Sequence, residues 1–191
     1  MVLDRKAQKQ ILILGGTGVT GKLIMENLLP GLKGAEITVS GRRGGVVHQG
    51  VKNLQIDLND QADAVKKLTQ FDLVIITVGP FKTFGNLPHQ LCIQAGVDCI
   101  DVNDSIAAAV EIYQLDQQAK KQGVKVLTGM GLNPGLSTIM LLSLLAQAPT
   151  EQHQASLKLF IGGKQEVGYA ASQVISHVLS PSVAVIRQGK C

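Results

Sequence analysis

The chain has 191 residues, a length that accommodates one sizeable domain and leaves little room for a second complete one. Apolar residues make up 45% and charged residues 17%, proportions of an ordinary globular protein that exclude a disordered or fibrous chain. The net charge of +4 would suit a polyanion, but the basic residues are scattered in pairs without interleaved aromatic residues, which disfavours nucleic acid and leaves a small phosphorylated ligand.

The cysteine and histidine patterns predict neither a disulfide framework nor a metal site. Cys92, Cys99 and Cys191 are odd in number and lack C-x-x-C spacing, and the histidines are too widely spaced for a metal-binding motif. The first apolar run, residues 11–14, is too short for the core of a signal peptide, and the apolar stretch 136–148 is too short to span a bilayer. We therefore expect a cytoplasmic protein that does not contact a membrane.

Short apolar runs rich in β-branched residues alternate along the chain with amphipathic stretches of helical length. The predicted strands are residues 11–14, 36–40, 54–57, 73–78, 98–102 and 125–128. The predicted helices between them are residues 18–29, 60–68, 87–95 and 106–122. Because parallel strands need crossover connections, and these are nearly always right-handed, this order predicts an α/β fold with a doubly wound parallel sheet.

The loop between the first strand and the first helix has the spacing of a dinucleotide site. Its sequence GGTGVTG contains G-x-G-x-x-G directly after a strand and at the start of a helix. The first glycine of this motif allows a tight turn, the second lets the backbone approach a pyrophosphate, and the third permits close packing of helix on strand. The anion would lie at the helix N-terminus, against N–H groups such as those of Gly18 and Val19. The residues predicted to contact the cofactor here are Gly15, Gly16, Thr17, Gly18, Val19 and Gly21.

The end of the second strand favours NADP over NAD. NAD sites usually place an acidic residue there to bond the ribose 2′-hydroxyl, whereas this chain has Ser40, Arg42 and Arg43. Serine can donate a hydrogen bond to a 2′-phosphate, and the arginines can form charge-assisted forked bonds with it. A solvated basic turn is the alternative interpretation. We expect NADP(H) as the cofactor, with NAD less favoured.

The later strand ends supply weaker candidates. Because ligands of such sheets bind at the carboxyl ends of the strands, Asp57 would border the adenine, and Gly79 and Pro80 would turn the chain beside the nicotinamide ribose. Asp57 is equally plausible as a helix cap, and Gly79-Pro80 as a plain turn. The candidate catalytic residues are Asp101 and Asn103, which follow the fifth strand, although Asp and Asn at such a position are more often helix caps.

Together these motifs resemble the saccharopine dehydrogenase family. The resemblance runs from about residue 10 to residue 142 and rests on the glycine loop and on VSGRR, DLVIITVGPF, CIQAGVDCIDVND and GMGLNPGL. It implies an NADP-binding Rossmann domain followed by a substrate domain, and hydride transfer on an imine or amino-acid-like substrate. Asn133 departs from the family's pattern, in which an acidic residue often precedes the Pro-Gly pair. The residues that match the family's cofactor motifs are Gly16, Gly18, Gly21, Arg42, Gly79 and Pro80, with Asp101 and Asn103 facing the cleft.

The alternation of strand and helix changes near residue 150. Residues 155–161 alternate like a new strand, and residues 167–179 carry an apolar helical face with little chain left to cover it. We therefore predict an NADP-binding Rossmann domain at 1–150 and, at 151–191, the incomplete start of a second α+β domain for substrate binding or homodimer formation. Two functions remain open: an NADP-dependent oxidoreductase represented mainly by its cofactor domain, or a non-catalytic NADP-binding module that senses redox state or contacts a partner.

Overall fold

The computed structural model describes residues 8–42 and 50–147, together with the single residues 156, 158 and 172. The strands are β1 (Lys9–Leu14), β2 (Ala35–Gly41), β3 (Lys52–Gln55), β4 (Leu73–Ile76), β5 (Asp98–Asp101) and β6 (Val126–Leu127). The helices are α1 (Val19–Leu28), α2 (Gln61–Leu68), α3 (Phe81–Phe84), α4 (Leu87–Ala95), α5 (Ile106–Tyr113), α6 (Asp116–Gln122) and α7 (Leu136–Gln147). All strand pairs within these ranges are parallel.

The sheet has the order β3-β2-β1-β4-β5-β6, so successive strands are added outward from β1 in both directions. This confirms the predicted doubly wound parallel sheet. The order reverses between β1 and β4, and in open α/β sheets the ligand crevice lies at the carboxyl ends of the strands at such a reversal. The loops that follow Leu14 and Ile76 therefore border the expected site.

Both faces of the sheet are buried. Successive side chains of a strand point to opposite faces, and in β1 neighbouring side chains belong to different apolar clusters. Leu12 and Leu14 of β1 belong to the larger cluster, which includes residues of α2 and α4. Ile13 of β1 packs in a second cluster with Val39 of β2 and Met25 of α1. This two-sided burial explains why the strands appear in the sequence as continuous apolar runs rather than as polar–apolar alternation.

The predicted elements differ most from the structure in four places. The strands predicted at 54–57 and 73–78 end at Gln55 and Ile76, and the short helix α3 was not predicted. The single helix predicted at 106–122 is two helices, because the chain turns between them and buries Leu115 in a small cluster with Ile93 of α4. The strand and helix predicted at 155–161 and 167–179 lie outside the described residues, apart from Ser156, Lys158 and Ser172.

Candidate cofactor site

The glycine loop is pressed against the end of β4. A Cβ atom at Gly15, whose φ is +89°, would lie 2.9 Å from the Val78 nitrogen and 3.0 Å from Thr77 Oγ1. At Gly21 a Cβ would lie 2.5 Å from the Gly15 carbonyl oxygen and 2.9 Å from Thr77 Oγ1. Contacts this short leave no space for a side chain at either position, so the loop depends on both glycines.

The N-terminus of α1 is open to an anion. Its N-cap, Gly18, provides no side-chain hydrogen bond, and the first turn contains no acidic residue that would repel a phosphate. Residues 17–20 are exposed. The Gly18 N–H itself donates to the Gly15 carbonyl at 2.9 Å, so the structure does not leave it open for the anion as we predicted. The N–H groups of Val19 and Thr20 begin the helix, where no intrahelical acceptor exists, and they are the donors that remain.

At the end of β2 the glycine loop lies against Gly41, the residue before Arg42, and both Thr17 and Arg42 are exposed residues. Thr17 of the glycine loop covers Gly41, and its side chain occupies the space that a Cβ at position 41 would need. Arg42 is exposed, makes no ion pair with another described residue, and its carbonyl accepts a hydrogen bond from Gln55 Nε2 at 2.9 Å. Arg43 lies outside the described residues.

Ser40 lies near the end of β2, as the sequence predicted, but it is not exposed. Ser40 is fully buried and lies in register with Leu14 of β1 and Leu54 of β3. Its hydroxyl has no hydrogen-bond partner in the described structure. A contact with a phosphate that arrives from solvent is therefore not available to Ser40 in this conformation. Thr17 presents the exposed hydroxyl instead.

Asp57 and the Gly79-Pro80 pair both lie in turns after their strands. Asp57 is exposed, and its Oδ1 accepts hydrogen bonds from the nitrogen of Asn59 at 3.0 Å and from its Nδ2 at 2.9 Å. The cap of α2 is Asp60, which accepts from the Asp63 nitrogen at 3.2 Å, so Asp57 is not the helix cap. Pro80 follows a cis peptide bond and forms the N-cap position of α3, directly beyond the contact between Val78 and the glycine loop.

Asp101 is the centre of a buried hydrogen-bond network at the end of β5. Its Oδ2 lies 2.6 Å from His89 Nε2, and both residues have 0% exposure. Its Oδ1 accepts from the backbone nitrogen of Asn103 at 2.8 Å and from that of Gly129 at 2.7 Å. Burial by itself would raise the pKa of Asp101, but the hydrogen bonds from His89 and from these backbone groups outweigh it and hold that pKa below its ordinary value.

Asn103 uses its side chain to begin α5. Its Oδ1 accepts from the Ser105 nitrogen at 2.8 Å, and its Nδ2 donates to the Ser105 carbonyl at 3.2 Å. Ser105 in turn caps the helix, because its hydroxyl oxygen accepts from the Ala108 nitrogen at 3.3 Å. Asn103 is 1% exposed, so both predicted catalytic side chains are buried and hydrogen-bonded within the fold. Asp104 lies between Asn103 and Ser105, and partial burial of the Asp104 carboxyl group raises its pKa.

Three contributors to this region were missed by the sequence reasoning. Thr77 directly follows β4 and touches the glycine loop, and Gly41 makes room for Thr17. The sequence assigned His89 no role beyond that of a histidine too isolated for a metal-binding motif, and the structure pairs its Nε2 with Asp101. A small polar residue directly after an apolar strand could have indicated Thr77, whereas nothing in the spacing of His89 and Asp101 predicts their contact.

The described part of the chain contains neither a candidate metal cluster nor a helix suited to cross a membrane. No group of three or more His, Cys, Asp or Glu residues there could hold a metal ion. Within the same ranges, no helix combines the length and the apolar character needed to cross a membrane.

Comparison with known proteins places the chain in a family. The family described as "Saccharopine dehydrogenase NADP binding domain" matches residues 11–127. A Caenorhabditis elegans "lipid droplet localized protein" is 23% identical in an alignment 138 residues long, which covers 63% of this chain and 32% of that protein.

Two solved structures are similar to parts of this chain. Apo saccharopine dehydrogenase (L-Glu forming) from Saccharomyces cerevisiae is 22% identical with a TM-score of 0.63, covering 73% of this chain and 31% of that one. UDP-glucose 4-epimerase from Thermus thermophilus, in complex with NAD, is 20% identical with a TM-score of 0.47, covering 62% and 53%. The chain thus spans about a third of the length of the nematode and yeast proteins. Because the family match extends over more than half of its residues, this chain belongs to the saccharopine dehydrogenase family through the NADP-binding domain.

Proposed function

We propose that this chain binds NADPH and forms the cofactor domain of an oxidoreductase of saccharopine dehydrogenase type. The observation that carries this proposal is a glycine loop at the strand-order reversal that leads into a helix without a side-chain cap, beside a second strand that is followed by Arg42 rather than by an acid. The cofactor would supply the hydride, and an imine or amino-acid-like compound would be the substrate.

The pyrophosphate would bind at the N-terminus of α1. Three N–H groups of the glycine loop already donate to backbone carbonyls: Gly15 to Ser40, Gly16 to Ile13 and Gly18 to Gly15. These bonds fix the loop before any ligand arrives. Val19 and Thr20 are left to donate to phosphate oxygens, with the positive end of the helix dipole behind them.

The 2′-phosphate would bind between Thr17 and Arg42. The threonine hydroxyl can donate one hydrogen bond, and the guanidinium can donate a charge-assisted pair. The bond from Gln55 to the Arg42 carbonyl holds the backbone at this turn and reduces the ordering cost of using the side chain. The absence of a carboxylate at the end of β2 disfavours NAD, whose ribose hydroxyl has no acidic acceptor here.

We also propose that α7 ends the cofactor domain and that residues 151–191 begin a second unit. Apart from buried Ser137 and half-buried Leu145, every residue of α7 is exposed, and the helix contains no charged residue. Leu142 and Leu144 are 60% and 66% exposed, an unusual density of apolar surface for a helix that remains in water. Either residues 151–191 or a second copy of the chain, in a homodimer, would cover this helix.

Hydrogen exchange of the α7 amides in the full chain tests the covering of this helix. Slow exchange that is independent of protein concentration would support cover by residues 151–191, and protection that grows with concentration would support a homodimer. Exchange at the rate of an isolated helix would contradict both.

A non-catalytic NADPH-binding module is the second candidate function. It is favoured by the burial of Asp101 and Asn103, which leaves the end of β5 without either predicted catalytic side chain in contact with solvent. The two functions share the cofactor and differ in turnover. We also propose a cytoplasmic location, which rests on the sequence alone.

Calorimetric titration of NADPH and NADH into the purified chain tests the shared claim. We expect NADPH to bind more tightly. Equal affinity for NADPH and NADH would contradict the proposed 2′-phosphate contacts of Thr17 and Arg42. Failure to bind either nucleotide would contradict the proposed function.

A further inference from the structure

The β5 end of the crevice contains a buried, hydrogen-bonded histidine–aspartate pair that the cofactor contacts described above do not use. His89 lies in the first turn of α4, and its Nε2 is 2.6 Å from Asp101 Oδ2. Both side chains are fully buried. The other ring nitrogen, Nδ1, is buried without a hydrogen-bond partner in the described residues.

The hydrogen bonds assign the proton between these two residues. An ionised carboxylate can only accept hydrogen bonds, so the proton of the His89–Asp101 contact lies on Nε2. Nδ1 has no acceptor within the described ranges to which it could donate a second proton. His89 therefore serves Asp101 as a fixed donor.

Through Asp101 this donor joins three separate segments. Asp101 Oδ1 holds the nitrogen of Asn103 in the loop after β5 and the nitrogen of Gly129 in the loop after β6, and its Oδ2 holds α4. The Asp101 carbonyl also accepts from the Met130 nitrogen at 3.0 Å. Both loops follow strands on the β4 side of the sheet reversal, which in doubly wound folds takes the second nucleotide of a dinucleotide.

We propose that His89 is a positioning residue for the nicotinamide half of the cofactor site. It fixes the Asp101 carboxylate, and the carboxylate in turn sets the loops after β5 and β6 beside that half. This inference rests on the proposed function. It also predicts that the adenosine half, which is bounded by Thr17 and Arg42 at the opposite side of the reversal, does not depend on His89.

A pair of variants that differ by one methylene group tests the proposal in the full chain. In His89→Gln the amide nitrogen reaches about as far as Nε2, so the donor to Asp101 is kept. In His89→Asn the amide stops near the position of Nδ1 and cannot reach the carboxylate. The probes are NADPH, which occupies both halves, and adenosine 2′,5′-bisphosphate, which lacks the nicotinamide half.

We expect His89→Asn to weaken NADPH binding by about tenfold or more and to leave adenosine 2′,5′-bisphosphate binding within about twofold of wild type. His89→Gln should bind both probes as the wild type does. Equal weakening of both probes in His89→Asn would mean a general loss of fold and would overturn the proposal, as would unchanged NADPH binding. Failure of the wild type to bind either probe would instead overturn the proposed function.

Should His89→Asn not fold, two measurements remain. His89→Gln must still bind NADPH with wild-type affinity. In the wild type, nitrogen chemical shifts of the His89 ring must show the proton on Nε2 at neutral pH. A proton on Nδ1, or a glutamine variant that folds and has lost NADPH binding selectively, would contradict the donor role.

Discussion

The Leu14 carbonyl accepts two hydrogen bonds from Thr77, one from its backbone nitrogen at 2.8 Å and one from its Oγ1 at 3.0 Å. These bonds join the last residue of β1 to the residue directly after β4, at the place where the strand order reverses. The same Oγ1 lies against the glycine loop, at Gly15 and Gly21. Thr77 therefore couples the geometry of the loop to the end of β4.

Replacing Thr77 with valine tests this coupling. The change keeps the branched shape and removes one hydrogen bond to the Leu14 carbonyl, so we expect the free energy of unfolding to fall by about 1 kcal/mol. NADPH binding should weaken as well, because the loop loses a fixed neighbour. Thr69→Val is the matched control, since Thr69 Oγ1 donates to the Lys66 carbonyl at 2.8 Å on an exposed helix end far from the loop. Urea unfolding and calorimetry measure the two effects; equal NADPH affinities for both variants would contradict the coupling.

Gly21→Ala should damage the site through overpacking. The new Cβ would lie 2.5 Å from the Gly15 carbonyl oxygen, and neither backbone can move without shifting the loop or α1. We expect a loss of about 1–3 kcal/mol of stability together with a loss of NADPH binding. Gly31→Ala is the control, because a Cβ there meets no atom within 4 Å. A Gly21→Ala protein with unchanged affinity would show that the cofactor does not need this loop.

Arg42→Ala should reduce the preference for NADPH over NADH. Loss of one charge-assisted interaction costs about 1.5–3 kcal/mol, which corresponds to roughly a ten- to hundredfold weaker affinity for NADPH. NADH affinity should change little, because NADH lacks the 2′-phosphate. Lys33→Ala removes one positive charge just before β2, at the opposite end of that strand, and controls for the general loss of charge. If both variants weaken NADPH equally, the effect is long-range electrostatics rather than a contact.

The Asp101 network predicts a defined pH dependence of stability. The folded-state pKa of Asp101 is lowered, so its stabilising contribution is complete above the unfolded-state value near 3.9 and is lost as the pH falls through the folded-state pKa. Asp101→Asn should therefore be less stable than wild type at pH 7, and the difference should narrow below about pH 4. Urea unfolding at several pH values measures this difference. A gap that stays constant from pH 7 down to pH 2.5 would show that folding does not lower the pKa of Asp101.

The sheet and its glycine loop could be predicted from the sequence because their signals are local. A continuous apolar run such as that of β4, followed by helical periodicity, reports its own structure, and the spacing of Gly16, Gly18 and Gly21 follows from short-range geometry. Gly96 and Gly123 end α4 and α6 in the left-handed conformation, a local signal of the same kind because glycine is the residue most often found at such helix ends.

Contacts between elements that lie far apart in the sequence could not be predicted in the same way. The pairing of His89 with Asp101 depends on how α4 packs against β5, and the burial of Ser40 depends on the position of β2 between β1 and β3 in a sheet covered on both faces. The bond from Asp101 to Gly129 joins residues 28 positions apart. No local pattern encodes such distances, and so Asp101 and Asn103 were expected in the cleft rather than within the fold.

The most direct test of the cofactor site is a map of backbone amide shifts on addition of NADPH to the isotopically labelled chain. We predict the largest changes at Val19 and Thr20, with further changes at Thr17 and Arg42, because these groups face the phosphates. The Gly18 amide should move less, since its N–H is already bonded to Gly15. Shifts that avoid the glycine loop, or no shifts at saturating NADPH, would contradict the assignment of this loop as the cofactor site.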